Sequence, residues 1–135
     1  MKTQEELKEL AVRILAAWND QDPEKVVAMY TDDVTYRDPN TRGAVEGADA
    51  MRRYLSKLFS GWEMHWELRE DPLPHADGNG VTALWRASFR LPDGDRTVEA
   101  EGMDLVTLEG DRIRHNEVWF DRAVLAPLFA SAPAA

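Results

Sequence analysis

The sequence predicts an α+β domain in which a curved antiparallel sheet wraps around three N-terminal helices. Two observations carry that expectation. Apolar residues recur at helical spacing through most of the first sixty positions, and from "WEMHWELR" onward the period changes to two. "HADGNG", "PDGD" and "EGD" then mark hairpin turns between successive strands. No internal repeat and no linker-like stretch interrupts the chain, so residues 1–135 read as one domain, with 130–135 ("ASAPAA") as a frayed tail.

Each element has its own signal. Thr3 and Glu6 form a capping box ahead of Leu7, Leu10, Ala11, Ile14, Leu15 and Trp18, the stripe of a first helix. A second helix starts with Asp22 as N-cap and Pro23 at the first helical position, and Val26, Val27 and Tyr30 carry its stripe through Tyr30. "DDVTYRD" is a strand. After a loop with Gly43 and Gly47, Met51, Tyr54, Leu55 and Leu58 share one face of a third helix, which Gly61 ends. Trp62, Met64, Trp66 and Leu68 alternate with Glu63, His65, Glu67 and Arg69. Trp85, Ala87, Phe89 and Leu91 alternate with Arg86, Ser88 and Arg90. A last strand, "RIRHNEVWF", leads to a short helix near "RAVLAPLF", interrupted by Pro127.

Composition excludes several classes of function. A net charge of −9 repels phosphate backbones and anionic bilayers, so neither nucleic acid nor a membrane is expected as a partner. The absence of cysteine removes disulfides and thiolate metal sites, and His65, His75 and His115 show no ligand spacing, so no metal and no cofactor are expected. The charged N-terminus lacks the apolar run of a signal peptide, and no stretch approaches the roughly eighteen apolar residues of a membrane span. The chain reads as a soluble cytoplasmic protein.

Two acids fall on apolar faces. Asp104 shares its side with Val98, Ala100, Gly102, Val106 and Leu108, while Thr97, Glu99, Glu101 and Thr107 take the other. Asp38 follows Val34 and Tyr36 on one side of its strand. An ionised carboxylate among apolar groups costs several kcal/mol unless it takes up a proton, finds donors or lines a wet cavity. Two such acids in one pocket suit proton transfer beside a carbonyl. Plainer readings stand beside these: Asp38 before Pro39 fits an Asx-type turn cap, and a bulge at Gly102 would turn Asp104 outward. Asn116 shares a face with Val118 and Phe120, where its amide orients either a ligand or neighbouring backbone. His65 alternates outward, and His115 and Glu117 fall with Trp119 on an outer surface. Trp18, Trp62, Trp66 and Trp85 line a roomy aromatic pocket or simply fill the core. Tyr30, Tyr36 and Tyr54 lie on or beside apolar stripes, where a buried phenol needs a partner.

The strings "AAWNDQDPEKVVAMYTDDVTYRDP", "GADAMRRYL", "GMDLVTLEGDRI" and "NEVWFDR" resemble the SnoaL-like branch of the NTF2-like superfamily, which includes polyketide cyclases and ketosteroid isomerases. The likeness covers nearly the whole chain and implies a cone-shaped NTF2-like fold. In ketosteroid isomerases the segment like "DDVTYRDP" holds the proton-carrying base, matched here by Asp38, and the segment like "GMDLV" holds the neutral oxyanion-hole acid, matched by Asp104. Their first-helix tyrosine is replaced by Ile14. The Arg-x-Asp pair of limonene-type epoxide hydrolases is missing from "LWRASF", and Val118 stands where an acid would be wanted.

The resemblance therefore implies a cofactor-independent isomerase- or cyclase-type enzyme acting on a hydrophobic, carbonyl-bearing small molecule of polyketide or steroid class. Asp38 would be the base and Asp104 a protonated donor. Asn116, Tyr30, Tyr36, Trp18, Trp62, Trp66, Trp85, Phe89, Val118 and Phe120 would contact the substrate. Two alternatives remain: a non-catalytic binder of an apolar small molecule, and a structural dimerisation domain using an outer sheet face with Met103, Leu105 and Trp119. A homodimer is expected in every case.

Overall fold

The computed structural model describes residues 2–129, so the tail expected at 130–135 lies outside the described residues. Helix α1 (Gln4–Asn19) opens on the Thr3/Glu6 capping box and buries Leu7, Leu10, Ala17 and Trp18. Helix α2 (Pro23–Val27) is capped by the Asp22 side chain. It stops short of Tyr30, which opens strand β1 (Tyr30–Arg37). The correction has a tertiary cause: the Met29 carbonyl accepts from the Ile113 amide at 2.9 Å, so pairing with a distant strand captures the residues that local periodicity assigned to a helix.

Strand β2 (Val45–Glu46) precedes helix α3 (Ala48–Gly61), so strands separate the third helix from the first two. Then come β3 (Glu63–Leu68), β4 (Leu73–Pro74), β5 (Gly80–Arg90), β6 (Thr97–Glu109) and β7 (Arg112–Trp119). A closing 3₁₀ helix, Arg122–Phe129, holds Pro127. The two-residue strands β2 and β4 are too short for alternation to reveal. Gly61 falls inside the last turn of α3, and the extended backbone of Trp62 ends that helix.

The sheet runs β2-β1-β7-β6-β5-β3, with β4 also on β5. It is antiparallel except where β1 meets β7 in parallel, with Tyr36 opposite Asn116. Sequence hairpins reveal only neighbouring strands; β1 and β7 pair across the intervening chain, which supplies the long crossover a parallel pair requires. The curved, unclosed sheet holds the core between itself and the helices. Along the edge strand β3, Asn19 and Gln21 at the end of α1 bond the backbone of Trp66 (2.7 and 3.0 Å) and of Met64 and Trp62 (both 2.7 Å). Those bonds cover the edge and fix the C-terminal end of α1 against the sheet.

Pairing between β5 and β6 is continuous from Gly80↔Thr107 to Arg90↔Thr97, with Trp85 opposite Gly102. A Cβ at Gly102 would lie 2.6 Å from the Trp85 ring and 2.5 Å from the Trp119 carbonyl oxygen, so only glycine lets this indole lie across β6.

Candidate active site

Unbroken register beside Gly102 settles which way Asp104 points. The one irregularity in the β6–β7 pairing falls between Thr107 and Leu108, beyond the acid. Asp104 therefore keeps the inward face set by strand alternation. Trp85, free to lie over Gly102, donates its Nε1–H to Asp104 Oδ1 at 2.7 Å. Asn116 Nδ2 donates to Oδ2 at 3.2 Å, and the Tyr30 hydroxyl donates to Asn116 Oδ1 at 2.8 Å. Tyr30 and Asn116 are each 1% exposed. The four side chains form one hydrogen-bonded row, Tyr30–Asn116–Asp104–Trp85.

Burial pushes the Asp104 pKa up to about 6; the bonds from Trp85 and Asn116 pull it down, and the charge of Asp38 adds to the rise. Asp104 keeps some accessible surface because two narrow clefts reach it, yet protein surrounds its carboxyl group. Both oxygens accept here, which suits the ionised form. Each retains a second lone-pair position at which a proton can sit. Burial also holds the Tyr30 phenol in its neutral form, with the Asp104 charge acting in the same direction.

Asp38 caps its turn with one oxygen and accepts two phenol hydroxyls on the other. Oδ1 caps the turn, accepting from the backbone N–H of Asn40 (2.7 Å) and Thr41 (3.1 Å). Oδ2 accepts the Tyr36 hydroxyl at 2.7 Å and the Tyr54 hydroxyl at 2.5 Å. Both phenols are held neutral, first by burial and then by the Asp38 charge. Tyr36 lines an inner cleft and Tyr54 an outer groove, so the two hydroxyls on one oxygen belong to different spaces.

The inner space is tight. One cleft, of about 20 Å³, is bounded by Ile14, Leu15, Trp18, Tyr36, Trp66, Trp85, Asp104 and Val118. A second, of about 30 Å³, runs from Leu7 and Leu10 to Val81 and Val106 and meets the first at Asp104. Each has room for a water or two and neither admits a polycyclic ligand, so of the two readings left open for the tryptophans the interior follows core filling. Ile14 and Leu15 are half-buried and border both clefts, so opening the interior means displacing them.

The aromatic residues form an arc instead. Rings meet in the order Trp62, Phe89, Trp66, Trp18, Tyr36, Tyr54, at centroid separations of 5.4 to 6.2 Å. Phe120 packs on Phe89 and Trp85. Of the predicted substrate contacts, Trp18, Tyr36, Trp66, Trp85 and Val118 border the inner cleft, whereas Trp62 lines the outer groove. Tyr30 and Asn116 brace Asp104 from behind, and Phe89 and Phe120 are packing partners. Among the described residues, the Trp66 indole Nε1 is the one buried side-chain nitrogen or oxygen without a hydrogen-bond partner.

Periodicity placed Trp85 on the inner face but did not reveal that it donates to Asp104. The signal was available in the glycine opposite it. Tyr54 as a partner of Asp38 was accessible only as one of three phenols in search of an acceptor. Among the described residues no cluster of His, Asp or Glu is placed to hold a metal ion, and no helix is long and apolar enough to cross a membrane.

The profile described as SnoaL-like domain matches residues 11–116. Among solved structures, the chain is similar to SalBIII, an epoxide hydrolase/cyclase-like enzyme in pyran ring formation of the polyether salinomycin, at 22% identity over 91% of this chain and 96% of that one, TM-score 0.77. It is similar also to a hypothetical protein with a ketosteroid isomerase-like fold from Catenulispora acidiphila DSM 44928, in complex with trimethylamine (16% identity, 94% and 97% coverage, TM-score 0.80). A third is TerC co-crystallised with polyporic acid (18% identity, 91% and 97% coverage, TM-score 0.77). At these identities the likeness is one of fold, and that fold is NTF2-like. No curated protein matches the chain.

The Asp104 environment makes a stability prediction. Its folded pKa of about 6 lies above the unfolded value of about 3.9, so protonation favours the folded state. That contribution is fully present below about pH 4 and is lost as pH rises through about 6, leaving a buried charge at neutral pH. Asp104→Asn keeps the acceptor for Trp85, and a flipped Asn116 amide can accept from the new one while its Nδ2 donates to the Tyr30 hydroxyl oxygen. Urea denaturation should show Asp104→Asn more stable than the parent by on the order of 2 kcal/mol at pH 7.5, with the advantage absent at pH 4.

Proposed function

The chain belongs to the SnoaL-like domain family, and from that premise we propose that it is a cofactor-independent acid/base enzyme moving a proton on a hydrophobic, carbonyl-bearing small molecule of polyketide or steroid class. One observation carries the reading: a carboxyl group with its pKa raised to about 6 sits where two apolar clefts meet. An acid whose pKa lies near working pH is suited to proton transfer.

Asp38 is the proton acceptor, and Asp104 in its protonated form donates to the substrate carbonyl as enolate character develops. An apolar ligand closing over Asp104 strips its remaining solvent and drives the pKa further up, so binding itself loads the proton. The unpartnered Trp66 Nε1–H, on a side chain lining the same cleft as Ile14 and Asp104, supplies a second donor at the carbonyl. Tyr30 and Asn116 hold Asp104 in position, and Tyr36 and Tyr54 hold Asp38. Entry requires Ile14 and Leu15 to swing aside, a side-chain movement along the middle of α1. The neighbours co-crystallised with small molecules support ligand binding by this fold, and SalBIII supports cyclase-type chemistry in particular. We place the enzyme in the cytoplasm and read it as a homodimer paired through the outer sheet face, where Met103 (39% exposed) lies opposite Trp119 (47% exposed) in the β6–β7 register.

The chemistry is tested by deuterium exchange at carbons α to the carbonyl, followed by NMR across a panel of steroid and polycyclic aryl ketones. Catalysed exchange is expected for at least one member, falling about 10²- to 10⁴-fold in Asp38→Asn with the fold intact. Its kcat/KM should decline as pH rises through about 6, because Asp104 must carry a proton. Binding without exchange throughout the panel would favour the alternative of a non-catalytic carrier.

Sedimentation equilibrium tests the assembly: the parent chain should be dimeric at micromolar concentration and Trp119→Glu monomeric. A monomeric parent chain rejects the pairing.

A further inference from the structure

The outer groove combines an apolar floor with a charge pattern opposite to that of the chain. It is formed by the turn after β1, the exposed side of α3 and the closing 3₁₀ helix, and its volume of about 630 Å³ falls within the usual span of small-molecule sites. Leu58, Trp62, Leu91 and Phe129 supply the floor. Arg42, Lys57 and Arg122 stand around it, and no Asp or Glu is among the lining residues. None of the three cations has an acidic partner among the described residues. Arg122 is positioned by its Nε, which donates to Asn40 Oδ1 at 2.7 Å and leaves the rest of its guanidinium fork free. In a chain of net charge −9, three unpaired cations around one apolar groove is a local reversal of sign.

We propose that this groove holds the anionic end of the ligand, a carboxylate on an apolar body. The inference rests on the reading above for the carbonyl-bearing body and adds its charged end. Anchored at the three cations, the ligand lies on Trp62 with its far side next to Tyr54, whose hydroxyl bonds Asp38. An uncharged analogue would lose that anchor.

Calorimetric titration with naphthalene-2-carboxylate and naphthalene-2-carboxamide tests this. The carboxylate should bind about ten-fold more tightly, the combined effect of three partly exposed ion pairs. Arg42→Gln/Lys57→Gln/Arg122→Gln should erase the preference, whereas Arg13→Gln/Arg53→Gln/Arg114→Gln, with the same change in net charge, should retain it. If the first triple variant fails to fold, Arg42→Gln/Lys57→Gln spares the Arg122–Asn40 bond and should still weaken the preference several-fold. Equal affinity for the two probes, a preference that survives in the groove variants, an equal loss in the control, or no carboxylate binding up to millimolar concentration would each overturn the proposal. No catalysed exchange by the parent chain together with a retained carboxylate preference faults the chemistry alone, and exchange without that preference faults the groove alone.

Discussion

Asp104 is an acid at a core position, and the interior is arranged to hold it. Its two oxygens take an indole N–H from β5 and an amide N–H from β7, so three adjacent strands are joined through one carboxylate. Each donor depends on something further out. Trp85 reaches Oδ1 because residue 102 has no side chain, and Asn116 presents its Nδ2 because Tyr30 occupies its oxygen. Removing any of these would leave a buried polar group unsatisfied, which costs more than the bond itself contributes. Even so, two donors do not offset the full desolvation of the charge, and the acid stays easier to protonate than an exposed aspartate.

The second acid is treated differently. Asp38 sits at a strand end with four donors on its two oxygens, half of them from the turn it caps and half from phenols. Its charge also reaches Asp104 and makes that acid harder to ionise. One fold thus gives two carboxyl groups contrasting surroundings, the condition under which a pair can divide donor and acceptor roles. The dense aromatic packing between the outer groove and Asp104 means that chemistry at the inner acid requires side chains of α1 to move. That helix is tied down at both ends, by Gln4 to Pro72 in the loop before β4 and by Asn19 to Trp66 in β3, while Ile14 and Leu15 rest over the clefts.

Much of this was legible in the sequence because strand alternation is a local signal. The inward direction of Asp104 followed from its neighbours two residues away, and the capping box and the Pro23 start of α2 were plain in short strings. Tyr30 was misassigned because a helical stripe and a pairing with β7 compete for the same residues, and the partner strand lies more than eighty positions on. The parallel β1–β7 contact was hidden for the same reason. The turn-capping side of Asp38 was legible in Pro39 beside it, whereas the phenol on its other oxygen from Tyr54 comes from a helix that only the fold brings close. The packed interior was not legible either, since the same tryptophans fill a core or line a cavity according to where their rings turn. The cations of the outer groove come from positions 42, 57 and 122, whose proximity only the fold creates.

The carboxyl group of Asp104 is held in surroundings that favour its neutral form. Carbon-13 NMR of the side-chain carboxyls, with Asp104 assigned by comparison with Asp104→Asn, follows that group directly through pH. A titration midpoint near 6 is the result expected. A midpoint at about 4, the value of an exposed aspartate, would contradict the account.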